Sequence, residues 1–249
     1  MIENNSVKPK TALIAITKHS VGHAIKLAGL MDNTTLFVSE KFEDHVADYS
    51  GAKEIIRGAV KPQIGGLMEA FEQLVFFVSI GGVVRLIAPH LKSKEEDPGV
   101  VCVDDAARFV IPILAGHVGG ANDHARLVAQ LLGAEPVITT ASDVRKTIPV
   151  DILGREMGWK VEALKDNLTR VAAHMVNEEA IAFVQEAGSK NWWPEDKPLP
   201  KNIQLFERFE EVPVEAFAGI LWVTNRPISQ SFLESLKGKL IVYRVPEDS

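Results

Sequence analysis

The sequence lacks the features that mark several common classes of protein. One cysteine, Cys102, is present among 249 residues, so an internal disulfide is excluded. It lies in the apolar stretch 100–103, which favours a small buried side chain over a nucleophile. No apolar run reaches the roughly 18 residues of a membrane span, and the polar N-terminus, residues 1–10, lacks the apolar core of a signal peptide. We therefore expect a cytoplasmic protein with no membrane partner.

Positive charge is also scarce. Lys and Arg number 27 against 33 Asp and Glu, which gives a net charge of −6. There is no basic stripe of the kind that nucleic-acid-binding proteins carry, so a nucleic-acid partner is not expected. The hydrophobic content of 46% is enough to form substantial cores in a chain of this length. These features predict a globular protein.

Short apolar runs alternate with helical patterns along the chain, which predicts an α/β fold with a parallel or mixed sheet flanked by helices. Runs 100–103 and 109–114 are separated by a segment of hairpin length, which is the reason a mixed sheet is kept beside a parallel one. The pattern breaks between Asp143 and Asp151. We place a domain boundary there, between an α/β domain at 1–145 and a second, smaller α/β domain at 146–249. Segment 188–201, rich in Pro, Lys and acidic residues, predicts an exposed loop.

A glycine-rich segment at 116–123, Gly-His-Val-Gly-Gly-Ala-Asn-Asp, follows one apolar run and precedes a helical pattern. Glycines let a backbone approach a ligand closely, and the amides at a helix N-terminus favour a carboxylate or phosphate. The amides of Gly119 and Gly120 are therefore candidate anion donors, and His117 is a candidate proton donor or acceptor. The alternative is an ordinary glycine turn with a helix-capping Asn122.

Other polar residues also follow predicted strands. The run 74–80 leads into Gly81 and Gly82, with Arg85 in the helical stretch that follows. The run 136–140, a third predicted strand, ends in Thr139 and Thr140, and Asp143 follows it. His19 follows the first strand predicted in the chain, 11–16. Ligands of open α/β sheets bind beyond the carboxyl ends of strands, so we expect these groups around one anion site if the strands are parallel neighbours. His19 and His23 lack a third ligand, so no metal site is expected.

Several short blocks follow one another in order between residues 77 and 143. They are Gly-Val-Val-Arg-Leu-Ile-Ala-Pro at 82–89, Lys94 followed by Asp97-Pro98, residues 101–104, Arg-Phe-Val-Ile at 108–111, Gly-His-Val-Gly-Gly-Ala-Asn at 116–122 and Val-Ile-Thr-Thr-Ala-Ser-Asp at 137–143. Together these blocks resemble the family of the cobalamin biosynthesis protein CbiG, and residues 15–19 also look like its first strand and turn. Pro112 and Ala115 stand where the family has serines, Ala107 where it has glycine and Ser142 where it has threonine.

The resemblance implies a hydrolase that opens the δ-lactone of cobalt-precorrin-5A. The product is cobalt-precorrin-5B, and the C20 fragment leaves as acetaldehyde. His117 is then the candidate base, since an ordinary histidine titrates near pH ~6.5. Arg85 suits a peripheral carboxylate, Asn122 could orient His117 or the substrate, and Asp104 could either orient a histidine or start a turn. The resemblance implies no cofactor, because cobalt arrives within the substrate.

Two other functions remain open. The family's usual carboxyl-terminal domain has no counterpart here, so a non-catalytic corrinoid-binding module that needs a separate carboxyl-terminal partner protein is the alternative. A nucleotide-binding protein is a third possibility, but it would lack a phosphate-loop lysine and a dinucleotide fingerprint. Trp192 and Trp193 could clasp a flat macrocycle or anchor a loop, and we favour the loop anchor.

Overall fold

The computed structural model of the chain describes residues 10–93, 96–145, 147–164, 166–194 and 197–246. Contacts between Cα atoms divide the chain into two compact units, Met1–Thr139 and Thr140–Ser249. Each unit contains a sheet with helices. The α/β fold class with a smaller second domain is therefore confirmed.

The first unit contains a seven-stranded sheet in the order β3-β2-β1-β4-β5-β6-β7. Its strands are β1 (Thr11–Ala15), β2 (Thr34–Ser39), β3 (Lys53–Ile56), β4 (Gln73–Phe77), β5 (Gly99–Val103), β6 (Phe109–Leu114) and β7 (Glu135–Pro136). Its α-helices are α1 (Lys18–Ala28), α2 (Ile64–Ala70), α3 (Ile80–Ile87) and α4 (Ala121–Leu132). Short 3-10 helices cover Glu40–Val46, Lys61–Gln63 and Ala88–His90.

One reversal of direction determines how this sheet presents its loops. Strands β1 to β5 run parallel to one another, but β6 pairs antiparallel with β5, and β7 runs parallel to β6. We call the edge where β1, β4 and β5 end the carboxyl edge, and the edge where β4 and β5 begin the amino edge. Strands β6 and β7 therefore end at the amino edge. The predicted mixed sheet is confirmed.

Both faces of this sheet are covered. Leu13 and Ala15 of β1 pack with α1 and α4, whereas Ala12 and Ile14 pack with α2 and α3. A strand buried on both faces is apolar along most of its length, which explains why β1, β4 and β5 read as apolar runs after their first residues, Thr11, Gln73 and Gly99.

The second unit contains a five-stranded sheet in the order β10-β9-β11-β12-β8, parallel except for β8, which pairs antiparallel with β12. The strands are β8 (Lys160–Ala163), β9 (Ile181–Gln185), β10 (Ile203–Phe206), β11 (Gly219–Val223) and β12 (Leu240–Arg244). The helices are α5 (Ala141–Arg145), α6 (Asn167–Val176) and α7 (Gln230–Ser235), with 3-10 helices at Arg155–Met157, Phe209–Glu211 and Val214–Ala216.

Some elements differ from the sequence predictions. Strands β3, β8 and β10 were not predicted, because each contains exposed or half-exposed residues rather than a continuous apolar run. Of the predicted strand 136–140, only Pro136 lies in a strand, as the last residue of β7 (Glu135–Pro136). Helix α5 packs against α6 and so belongs to the second unit. Among the described helices, none combines the length and the apolar character needed to cross a membrane.

Candidate functional site

The residues expected to form one anion site lie at opposite edges of the first sheet. Strand β4 ends at the carboxyl edge, whereas β6 ends at the amino edge. Arg85 and His117 follow these two strands, so the strand reversal separates them. A strand of five residues is about 17 Å long, which exceeds the reach of either side chain. The expectation of a shared site for Arg85 and His117 is therefore wrong.

At the carboxyl edge, Gly81 and Gly82 lie in the first turn of α3. The Gly82 N–H donates to the carbonyl of Ser79 at 2.9 Å. Arg85 is exposed, and its Nη1 donates to the Gly81 carbonyl at 3.1 Å. His19 is exposed in the first turn of α1, on the same edge. Arg85, Gly81, Gly82 and His19 thus share an edge, but not the edge of His117.

Asp104 has a structural role in the β5–β6 hairpin. Its carboxylate accepts hydrogen bonds from the N–H groups of Phe109 at 2.6 Å, Arg108 at 2.7 Å and Ala106 at 3.3 Å. Partial burial alone would raise the pKa of Asp104, but these three donors and the charge of Arg108 lower it. Asp104 lies at the carboxyl edge and therefore does not orient His117. The reading of Asp104 as a turn residue fits this geometry.

His117 lies on a loop at the amino edge that its own backbone hydrogen bonds hold in place. The Gly120 N–H donates to the His117 carbonyl at 2.9 Å, Ala121 to Ala115 at 3.2 Å, and Asn122 to Gly116 at 3.0 Å. These amides are therefore not available for a ligand, which corrects the expected role of Gly120 as an oxyanion donor. Asn122 is 3% exposed in the first turn of α4.

Gly119 is required by packing within this loop. A Cβ on Gly119 would lie 2.5 Å from the Cβ of Ala115, 3.0 Å from its carbonyl and 3.1 Å from the nitrogen of Gly99. The glycine thus lets the loop approach the start of β5. Its neighbour Gly120 adopts a φ of +74°, a left-handed conformation that favours glycine. Packing at Gly119 and turn geometry at Gly120 explain why glycine stands at both positions.

Gln73 also supports the loop, and the sequence analysis missed it. It begins β4, is 5% exposed, and its Nε2 donates to the Gly119 carbonyl at 2.5 Å. A single glutamine at the start of an apolar strand gives no signal by itself. Only the antiparallel return of β6 brings the loop to it.

The amino edge gathers other motif residues near this loop. Asp97 is 9% exposed and accepts from the Lys92 N–H at 2.9 Å, which fixes the turn before β5. A cavity of about 280 Å³ lies beside this turn, and Pro89, Asp97 and Pro98 line part of it. Lys94, another residue of the family pattern, lies outside the described residues. We take this edge, with the His117 loop, as the candidate site.

The threonines that follow β7 differ in their surroundings. Thr139 is exposed and belongs to the first unit. Thr140 belongs to the second, where its Oγ1 donates to the Asp143 carboxylate at 2.6 Å and its carbonyl accepts from Val144 at 3.1 Å. The Thr140 carbonyl thus accepts a first-turn hydrogen bond of helix α5, and the Thr140 hydroxyl and the Asp143 carboxylate bind each other at the start of that helix.

Two buried groups have strongly shifted pKa values. Burial lowers the pKa of His124 to about 4, so this histidine is neutral at pH 7. Burial, together with the charge of Asp104, raises the pKa of the Cys102 thiol to about 11. The Cys102 thiol donates to the Val78 carbonyl. Cys102 is therefore a buried, protonated side chain, as the sequence predicted.

The two adjacent tryptophans anchor a loop in the second unit. Trp192 stacks on Phe183 with 4.0 Å between ring centroids, and the Trp193 Nε1 donates to the Lys197 carbonyl at 2.9 Å. Both rings pack against the core of that unit. The loop-anchor interpretation agrees with this packing. Within the described ranges, no three His, Cys, Asp or Glu side chains are grouped to hold a metal ion.

Comparison with known proteins gives consistent matches to both halves of the chain. The family model for the cobalamin synthesis G N-terminal region matches residues 63–143, and the model for the cobalamin biosynthesis central region matches 148–244. Cobalt-precorrin-5A hydrolase of Priestia megaterium is 41% identical over 94% of this chain and 62% of that protein. The enzyme of the same name from Salmonella typhimurium is 32% identical over 85% of this chain and 56% of that protein.

The chain spans about three fifths of the length of these curated relatives, at 62% and 56%. A solved structure of a cobalamin biosynthesis protein G homolog from Sulfolobus solfataricus is 19% identical, with a TM-score of 0.45, over 95% of this chain and 60% of that one. The two family models follow each other in order, and the curated relatives extend across both. The chain therefore belongs to the CbiG family of cobalamin biosynthesis proteins and contains its N-terminal and central regions.

Proposed function

We propose that this chain is a cobalt-precorrin-5A hydrolase. The observation that carries the proposal is the 41% identity, across 94% of the chain, to a relative of that name. The substrate is a cobalt corrinoid, and its cobalt is part of the substrate rather than a resident cofactor. A cytoplasmic location belongs to the same proposal, whereas a separate carboxyl-terminal partner protein belongs to the alternative of a non-catalytic corrinoid-binding module.

The reaction requires two proton transfers. A water attacks the δ-lactone carbonyl after losing a proton to a base, and the ring opens to a carboxylate and an alcohol. The alcohol then loses its proton to the base as the carbon–carbon bond breaks. The electron pair of that bond passes to the conjugated macrocycle, and the fragment leaves as acetaldehyde. A single base that regains its proton-accepting form between the steps serves both.

We assign the base to His117. The hydrogen bonds from Gly120, Ala121 and Asn122 and the contact of Gln73 with Gly119 hold its backbone in place. A base on a fixed loop needs little reorganisation before reaction. Arg85 and His19 lie at the other edge of the sheet, so they are assigned no contact with the substrate at the His117 loop. The Gly119 amide remains the proposed oxyanion donor of the loop.

The test measures acetaldehyde release from cobalt-precorrin-5A by the full chain. His117→Ala is expected to slow release by about 10² to 10⁴-fold while corrinoid binding persists. His45→Ala, which removes an exposed histidine outside the amino edge, is the matched control and should retain full rate.

The outcomes separate the alternatives. Saturable corrinoid binding without acetaldehyde would instead support the non-catalytic corrinoid-binding module, particularly if a carboxyl-terminal partner protein restores release. Normal release from His117→Ala would refute the base assignment. Absence of both binding and release would refute the corrinoid function.

A further inference from the structure

We infer that the second unit carries a separate binding site for a small ligand with carboxylate or phosphate groups. The site is a cleft of about 300 Å³ lined by Gln185, Glu186, Lys190, Glu207, Arg208 and Arg226. We call it the second-unit cleft. It is independent of the proposed hydrolase reaction.

The first argument is topological. The cleft residues follow the carboxyl ends of β9, β10 and β11, which are parallel neighbours. After β9 the chain passes to β10 on one side, and after β11 it passes to β12 on the other. In open α/β sheets ligands bind where successive connections leave in opposite directions, because the diverging loops open a crevice there. The second-unit cleft lies at this point.

The second argument is that the floor of the cleft is fixed. Glu186 has a side chain only 8% exposed, and its carboxylate pairs with Arg226 at 3.1 Å. It also accepts from the Phe209 N–H at 3.0 Å and from the Thr224 hydroxyl at 2.9 Å. These contacts join the loops that follow three strands. A site joined in this way binds without the cost of ordering its loops.

The third argument concerns charge. Arg226 already pairs with two carboxylates, those of Glu186 and Glu210. In the described part of the chain, neither Lys190 nor Arg208 forms an ion pair, and both are exposed beside the cleft. Among the described residues that line the cleft, Glu207 is the one carboxylate that forms no ion pair with Arg226. The three cations and the three carboxylates, with Glu210 included, balance in number. The attraction for an oxyanion is therefore local, because Lys190 and Arg208 are exposed at the opening and form no ion pair among the described residues.

The experiment titrates the full chain with citrate and, separately, with pyrophosphate, and follows backbone amide signals by NMR. Saturable shifts are expected at Gln185, Thr224 and Arg226. A stronger response to citrate identifies a carboxylate ligand, and a stronger response to pyrophosphate a phosphate ligand. Because the chain has a net charge of −6, anions are repelled in general, so saturable binding at these residues requires a local site.

Two variants test the assignment in opposite directions. Lys190→Gln with Arg208→Gln should weaken binding by about tenfold or more, since each removes a charged partner. The control, Lys201→Gln with Lys237→Gln, removes the same charge from exposed positions outside the cleft and should leave the affinity unchanged. Glu186→Gln keeps a hydrogen-bonding amide in place of the carboxylate, and it should tighten binding by about threefold because Arg226 loses one charge partner.

The proposal would be overturned if the cleft double variant and the control double variant weaken anion binding equally. It would also be overturned if neither citrate nor pyrophosphate gives saturable shifts. Weaker binding by a folded Glu186→Gln variant would also contradict the assigned charges. None of these outcomes depends on acetaldehyde release, so failure here is distinguishable from failure of the hydrolase proposal.

Discussion

Protonation of His124 is expected to destabilise the first unit at acidic pH. This side chain is 5% exposed on α4, and its Nε2 has no hydrogen-bond partner among the described residues. Burial lowers its pKa from the usual 6.5 to about 4. As the pH falls from the higher to the lower value, the unfolded chain takes up the proton before the folded chain does. Folded stability is therefore complete above pH ~6.5 and falls progressively towards pH ~4.

The two pKa values give the size of the effect. Linkage predicts a loss of roughly 2 kcal/mol in the free energy of unfolding between pH 7 and pH 5, and about 3 kcal/mol by pH 4. His124→Leu replaces the titrating imidazole with an apolar side chain of similar size. The variant should therefore lose about 2 kcal/mol less than the wild type between pH 7 and pH 5.

The assay is urea unfolding at both pH values, followed by far-UV circular dichroism and by tryptophan fluorescence. Fluorescence reports on the second unit, since all four tryptophans lie there: Trp159, Trp192, Trp193 and Trp222. A circular dichroism transition that has no counterpart in the fluorescence curve reports on the first unit. His45→Gln, which removes an exposed histidine, is the control and should keep the wild-type pH dependence. An unchanged pH dependence in His124→Leu would refute the reasoning.

Three further changes test individual contacts by the same unfolding measurements. Gly119→Ala should destabilise the first unit by about 1–3 kcal/mol, because its Cβ would meet backbone atoms of Ala115 and Gly99. The control is Gly22→Ala in α1, where the space around the glycine is open. This control should stabilise the first unit by about 0.5–1 kcal/mol. Asp104→Asn should cost roughly 1 kcal/mol by weakening the turn hydrogen bonds, and should reduce the loss of stability as the pH falls through the lowered pKa of this carboxyl. Tyr243→Phe removes a buried 2.7 Å hydrogen bond to the Val150 carbonyl and should cost about 1–2 kcal/mol, seen by fluorescence.

Specific outcomes would contradict these three expectations. A Gly119→Ala variant of normal stability that no longer binds corrinoid would show that the glycine serves the ligand. If the Asp104→Asn variant has wild-type stability at pH 7, the hydrogen bonds that this carboxylate accepts in the β5–β6 turn do not stabilise the first unit. If Tyr243→Phe leaves the fluorescence transition unchanged, the hydroxyl contributes nothing to the second unit.

The sequence by itself determined the elements that have a continuous apolar pattern. Strands β1, β4 and β5 are buried on both faces, so beyond their first residues, Thr11, Gln73 and Gly99, every position is apolar. The short segment between β5 and β6 predicted their hairpin, and the position of Cys102 within an apolar run predicted its burial. Edge strands β3 and β10 keep exposed side chains, so their sequences carry no comparable pattern.

Only the tertiary structure decided which residues share a site. Local sequence shows that Arg85 and His117 each follow a strand and lie near a glycine pair, but not which strands lie beside one another in the sheet. The antiparallel pairing of β6 with β5 places the His117 loop beside Gln73 and away from Arg85. The same pairing makes Gly119 a packing residue against Gly99. The short segment 104–108 indicates that β6 reverses direction, but not which strand lies on the other side of β5. The parallel pairing of β4 with β5 joins residues far apart in the chain, and local residue patterns do not encode it.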